Sequence, residues 1–199
     1  MNHLKRKNYI SGFTLLETVV ALAVLLAAVV GPVSLITKGI VNFSFSKNKL
    51  IAANLAQEGI ETIREIRENN IACSVLGENV KWDDDPSGGK LKGKYTTDAN
   101  DFISKSCQGQ SIKFPKVGGF CDTTKIRLNN GVYTHLGGQE TEFTRCVTVC
   151  VPPNSSPCNS SADSAIPAND QMEIISEVKW NERGNDKNIL LRERLYNWR

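Results

Sequence analysis

Apolar residues fall into one long block and several short alternating stretches along the 199-residue chain. The long block is Phe13–Ile36, FTLLETVVALAVLLAAVVGPVSLI, 24 residues with a single charge at Glu17. At about 1.5 Å rise per residue such a helix reaches roughly 36 Å, more than the ~30 Å hydrocarbon core, which predicts a membrane-spanning helix. Gly31-Pro32 interrupts the block. Proline removes a backbone donor and crowds the preceding turn, so a kink or local melting is expected there. In Leu50–Arg67, LIAANLAQEGIETIREIR, the pattern changes. Leu50, Ala53, Leu55, Ala56, Ile60, Ile63 and Ile66 recur at three- and four-residue spacing, with Glu58, Glu61, Arg64 and Arg67 between them, as in an amphipathic helix. Glu61–Arg64 is a favourable pair and Glu61–Glu65 an unfavourable one. Asn69-Asn70 reads as a stop. One helix from Phe13 to about Glu68 is predicted, apolar all round at first and amphipathic after.

Beyond it the period shortens. Residues 71 to about 119 read as irregular, with SIKF (Ser111–Phe114) a weak strand signal. WDDDPSGGK (Trp82–Lys90) offers the carboxylates Asp83–Asp85, which could face Ca²⁺. Their spacing matches no calcium loop, however, and Asp-Pro-Ser-Gly-Gly is ordinary turn chemistry. KIRLNNGVYTHL sets Asn130-Gly131 between alternating segments, a hairpin signal. EFTRCVTVCV (Glu142–Val151) alternates, with Phe143, Arg145, Val147 and Val149 on one face and Thr144, Cys146, Thr148 and Cys150 on the other. After a Pro/Asn/Ser-rich loop, EIISEVKWNERGNDKNILLRERLYNW reads as two strands joined across Glu182–Lys187. The fold class is α+β: a long N-terminal helix on a C-terminal antiparallel sheet of about four strands, whose apolar face covers the amphipathic half-helix. The segments are 13–36 (spanning), 37–70 (amphipathic) and 71–199 (globular). Trp180 and Trp198 read as core or sheet anchors.

Charge and cysteines locate the parts. Of 24 Lys and Arg, three (Lys5, Arg6, Lys7) precede the apolar block, and the remaining 21 equal the 21 acidic residues. The positive cluster is a topology signal that holds the N-terminus in the cytoplasm. A nucleic-acid footprint would need basic residues grouped on the folded part; Lys105, Lys113, Lys116, Lys125 and Arg127 form only a mild basic segment in a balanced domain. All six cysteines (Cys73, Cys107, Cys121, Cys146, Cys150, Cys158) follow the block, with no C-x-x-C pair and only two histidines in the chain. That argues against a zinc site and for up to three disulfides in an exported region. Cys146 and Cys150 share a strand face about 13 Å apart, too far to bond each other. Cys150–Cys158 and Cys107–Cys121 are the plausible local closures.

Three readings compete for residues 1–36. A secretory signal peptide has a shorter apolar core followed by a small-residue cleavage site. A plain signal anchor fits length and charge but leaves Glu17 without a reason. The third places a processing site before the block, at Gly12-Phe13. KRKNYISGFTLLETVVALAVLL resembles the prepilin-type N-terminal signal of type IV pilins and type II secretion pseudopilins. There a basic leader ends in Gly, an aromatic residue follows, and a Glu stands fifth after the cut; here these are Lys5–Lys7, Gly12, Phe13 and Glu17. The closing pattern V-x-W, a Gly turn and a strand ending Leu-Tyr-Asn-Trp-Arg resembles the minor-pilin and pseudopilin branch.

The resemblance implies a pilin-like fold, with residues 1–12 as a leader. A membrane-embedded prepilin peptidase would remove it between Gly12 and Phe13, and the new Phe13 amine would be N-methylated. Gly12 has no Cβ to obstruct the scissile carbonyl. A charge at a bilayer-helix centre costs about 2.5–3.5 kcal/mol on insertion scales, and less near an end. The plain account of Glu17 is a carboxylate reaching the headgroups beside the helix dipole. The family account pairs it with a Phe13 amine when the helix joins a filament. The partners implied are the peptidase/N-methyltransferase, other pilin or pseudopilin subunits, the membrane assembly platform and the lipid bilayer.

No G-x-S-x-G, P-loop, Gly-rich nucleotide loop or H-E-x-x-H is present, and His135 has no nearby catalytic partner in sequence; no enzyme, cofactor or metal site is expected. The favoured function is a filament subunit, a minor one given the cysteine-rich insert. The alternatives are a tip-located adhesin or DNA-uptake module, and an anchored surface protein that never polymerises.

Overall fold

The computed structural model describes residues 12, 14–107, 109–118, 121, 124–151 and 165–197. Its first element, α1, runs Leu15–Val75 as one helical span, continuing through Gly31-Pro32. Two compact units divide between Ser46 and Lys47. In the first, the described helix residues are exposed or nearly so: Leu25, Leu26, Val29 and Val30 are each 60% exposed or more. One 18-residue window of α1 near the N-terminus has the length and composition to cross a membrane. In water such a surface would be unsatisfied; lipid or other helices are its natural surroundings.

The helix outlasts its expected stop at Asn69-Asn70, because neither side chain caps it. Asn70 is fully buried and donates to the carbonyls of Trp82 and Asp84, and Asn69 donates to that of Lys113 (2.9 Å). Termination comes at Gly77, whose φ of 97° lies in the left-handed region. Glu78 N–H bonds the Cys73 carbonyl and Gly77 N–H that of Ser74, the paired bonds of a Schellman motif.

Seven strands are seen among the described residues: β1 Gly93–Cys107, β2 Gln110–Gly118, β3 Lys125–Asn129, β4 Val132–Thr134, β5 Gln139–Cys150, β6 Gln171–Glu182 and β7 Asn185–Tyr196. The sheet therefore has more than the four strands expected, and all pairings are antiparallel. β5 is central. Along one edge it takes the start of β1 (Gly93–Tyr95 opposite Val147–Val149) and then β3; along the other it pairs β6, which pairs β7. The β1–β2 hairpin occupies most of what read as irregular chain. Its residues are Thr, Asp, Asn, Ser and Lys with little apolar alternation, and its register shifts between Asp98 and Phe102. The β3–β4 turn is as expected, with positive φ at both Asn130 and Gly131. The β6–β7 link contracts to Arg183-Gly184, again both positive.

One face of the sheet covers the amphipathic half of α1. Ile60, Ile63 and Ile66 pack with Val147, Val149, Met172 and Ile174, and Ala52, Leu55 and Ala56 with Ile126, Phe143, Val178 and Trp180. Leu50, expected on that face, is 64% exposed. Trp180 is a core anchor beside Phe143; Trp198 lies outside the described residues. At Gly59 the two layers come closest: a Cβ there would stand 2.7 Å from both Ser176 Oγ and Val147 Cγ2.

The disulfides depart from the expected Cys107–Cys121. Cys73 bonds Cys107 (Cα–Cα 5.3 Å), and Cys121 bonds Cys146 (4.8 Å). The longer helix and strand β1 are the reason: they bring the last turns of α1 against the end of β1, far apart in sequence. Cys150 is also disulfide-bonded, and Cys158 lies outside the described residues. Disulfides of this kind indicate an oxidising, extracytoplasmic setting for the sheet unit.

Candidate functional site

The residues singled out at the N-terminus meet a helix end. Lys5, Arg6, Lys7 and Phe13 lie outside the described residues. Gly12 is exposed, with no heavy atom within 4 Å of where a Cβ would sit. Thr14 precedes the first helical residue. Its Oγ1 accepts a hydrogen bond from the Glu17 N–H at 3.3 Å, and its carbonyl accepts the Thr18 N–H at 3.2 Å. That makes Thr14 an N-cap and places Glu17 at the third helical position, the spacing of a capping box. Beside the Gly12-Phe13 pattern in which Glu17 was read, Thr14-x-x-Glu17 is the local signature of this cap. A carboxylate in a first turn is favoured by the helix dipole, so Glu17 sits at the one end of the apolar span where a negative charge gains local support.

A second cluster ties α1 to the sheet through polar groups. Arg145, on the apolar face of β5, is 1% exposed. It donates to the Leu55 carbonyl at 2.9 Å and to that of Thr97, and pairs with Glu58 at 3.0 Å. A buried guanidinium needs such partners. Beside it, the buried Asp98 carboxylate accepts from the Thr134 hydroxyl (2.6 Å) and the His135 N–H (2.8 Å). Burial lowers the His135 pKa, the Arg145 charge lowers it further, and Asp98 opposes both. These groups are knitted to one another at a packed junction rather than aimed into a cleft, the arrangement of a structural network.

The Asp83–Asp85 segment is a turn. The Lys90 ammonium lies against the Asp83 carboxylate and 3.1 Å from that of Asp84; Asp84 accepts from the Lys81 N–H and Asp85 from the Ser87 N–H. Burial lowers the Lys90 pKa, but its hydrogen bonds to Asp83 and Asp84 outweigh that and raise it. Lys90 thus occupies the place a cation would take, and no cluster of three or more His, Cys, Asp or Glu residues able to hold a metal ion occurs among the described residues.

No family model, curated protein or solved structure matches the chain.

Proposed function

We propose that this chain is a pilin-like structural subunit. It is cut by a prepilin peptidase between Gly12 and Phe13 and assembled from the membrane, through its apolar helix, into an extracytoplasmic filament as a minor component. The observation that carries the reading is the composition of α1: an exposed apolar span headed by a first-turn carboxylate, directly after an open glycine. The mechanism is transfer of that span from lipid into a bundle of like spans. Glu17 then exchanges headgroups for the Phe13 amine of a neighbouring chain or its own, and in low dielectric that pairing offsets part of the desolvation cost and penalises a wrong axial register. The basic leader holds the N-terminus in the cytoplasm during insertion, and its removal takes away three positive charges that resist packing helix ends together.

Mass spectrometry of the mature N-terminus from the native host tests the reading. A chain beginning at N-methylated Phe13 supports it, and an intact Met1 on membrane-extracted protein overturns it.

A further inference from the structure

Among the described residues β2, β4 and β7 each pair with one strand only, and the first two are guarded against further pairing. β4 is three residues long. β2 contains Pro115, in a hairpin whose register shifts. Short length, proline and irregular register are common ways to blunt a sheet edge. β7 has none of them. It is 12 residues long and keeps one unbroken register with β6, from Gln171↔Tyr196 to Glu182↔Asn185.

The turn decides which groups of β7 face the open side. Arg183-Gly184 is a two-residue link, so Glu182 and Asn185 are a pair that exchanges backbone hydrogen bonds. Such pairs alternate along an antiparallel ladder. The odd-numbered residues of β7 therefore bond β6, and the even-numbered ones aim their N–H and C=O groups at the open side. Side chains alternate as well. The odd ones lie toward α1, where Ile189 and Leu191 pack at the rim of the core and Glu193 meets Arg64 at 2.5 Å. The even ones lie on the opposite face, where Leu190 is 43% exposed.

A second β7 brought up antiparallel, about a twofold axis through Leu190, meets the charges of the first in reverse. Asp186 stands opposite Arg194 of the second copy, and Lys187 opposite Glu193. Between them Ile189 faces Leu191, and Leu190 faces itself. No like charges are opposed, and each face of the joined sheet gains an ion pair and an apolar pair. Moving the axis by one residue loses the match: centred on Ile189 the register opposes only Asp186 and Arg192 as unlike charges, and centred on Leu191 it opposes none. A charged edge can also serve to repel other strands, but repulsion between copies requires like charges face to face.

We propose that β7 docks on β7 of a second copy of this chain, forming one continuous antiparallel sheet across a twofold axis at Leu190. The even-numbered pairs would exchange the new backbone hydrogen bonds. The two sheet units then point in opposite directions, so this contact differs from the bundling of apolar spans proposed above and does not rest on it.

The test uses the full chain in detergent. Sedimentation equilibrium in density-matched micelles should show a monomer–dimer equilibrium. Hydrogen exchange followed by NMR should show the amides of Asn188, Leu190 and Arg192 slowed about tenfold or more in the dimer, with Ile189 and Leu191, already bonded to β6, little changed. Leu190→Lys sets two ammonium groups against each other on the exposed face and should raise the dimer Kd about tenfold or more. Leu190→Pro is the second variant: it removes a donor that β6 does not use and should abolish the dimer while near-ultraviolet circular dichroism stays parental. A monomer at every concentration overturns the proposal. So does a dimer in which the amides of Asn188, Leu190 and Arg192 exchange as they do in the monomer, which would assign the contact to the apolar spans; this amide pattern decides even where both variants unfold.

Discussion

Gly59 is the residue on which the spacing between α1 and the sheet depends, and Gly59→Ala tests that directly. On an open helix surface the change would stabilise by about 1 kcal/mol, the difference in helix propensity between the two residues. Here the new methyl would meet Ser176 Oγ and Val147 Cγ2, each at 2.7 Å, and Arg145 Cδ at 3.3 Å. None of the three has room to give. Val147 and Ser176 are fully buried, and Arg145 is held through its guanidinium by the Leu55 carbonyl and Glu58. Overpacking costs about 1–3 kcal/mol, and two rigid contacts put this site at the upper end. The propensity gain leaves a net loss of about 2 kcal/mol, a fall in Tm of about 4–8 °C for a unit of this size. Thermal unfolding of the full chain in detergent, followed by near-ultraviolet circular dichroism, measures it. Gly39→Ala, with nothing within 4 Å of its Cβ, is the matched control and should lose nothing. If Gly59→Ala melts at or above the parent temperature, the helix is not seated on the sheet by this glycine.

Three further outcomes follow from the same junctions. His135 has a pKa lowered by burial and by Arg145, with Asp98 opposing, so the unfolded chain takes up a proton at a higher pH than the folded one. Stability should fall as pH drops below about 6.5. Urea midpoints at about pH 7.5 and about pH 5.5 should differ less in His135→Phe than in the parent, and an identical difference would rule out this residue as the source. The Cys73–Cys107 bridge closes a sequence separation of 34; removing it as Cys73→Ser/Cys107→Ser should cost about 3–4 kcal/mol through the unfolded state, and a loss below about 1 kcal/mol by urea titration would mean the helix end is held by packing alone. Glu17→Gln keeps the backbone N–H that Thr14 accepts but removes the charge. Cleavage at Gly12 should persist while incorporation into filaments, scored by immunogold labelling, drops, and parental incorporation would refute charge pairing at this step.

How far the fold was legible depended on whether a local pattern had a single physical solution. The 3.6-residue period over Leu50–Arg67 and the alternation over Phe143–Val149 fixed which faces meet, because a period admits only one apolar side. Asn130-Gly131 was readable since two positive φ values leave few residue choices. The β1–β2 hairpin was not: its strands are rich in Thr, Asp, Ser and Lys, and much of what holds it is pairing with sequence-distant β5 and a disulfide to the helix end. The helix stop failed for a related reason. Asn69-Asn70 carries a termination signal in isolation, but here those amides satisfy carbonyls elsewhere in the fold, and Leu-Gly-Glu at 76–78 supplied the actual end. Arg145 sat in a correctly read apolar face with no sign of its partners. A buried guanidinium is resolved only by tertiary carbonyls from two other elements.

Glu17 has two physical accounts, and they are not rivals. As a member of Thr14-x-x-Glu17 it belongs at a helix start, where unpaired N–H groups and the dipole favour a negative charge whether or not another chain is present. This would let the proposed subunit tolerate the carboxylate in lipid. It does not explain why the same position should matter in a filament, where headgroups and water are gone and a lone charge costs far more than the dipole returns. A local cap therefore lowers the cost of the membrane state without supplying a partner for the assembled one. The free amine created by cleavage at Gly12 would be that partner, a positive charge generated four residues from the carboxylate at the moment the basic leader is lost. Under the proposed function, a residue tolerated in one setting and costly in the other would bias the chain toward whichever arrangement supplies its counter-ion.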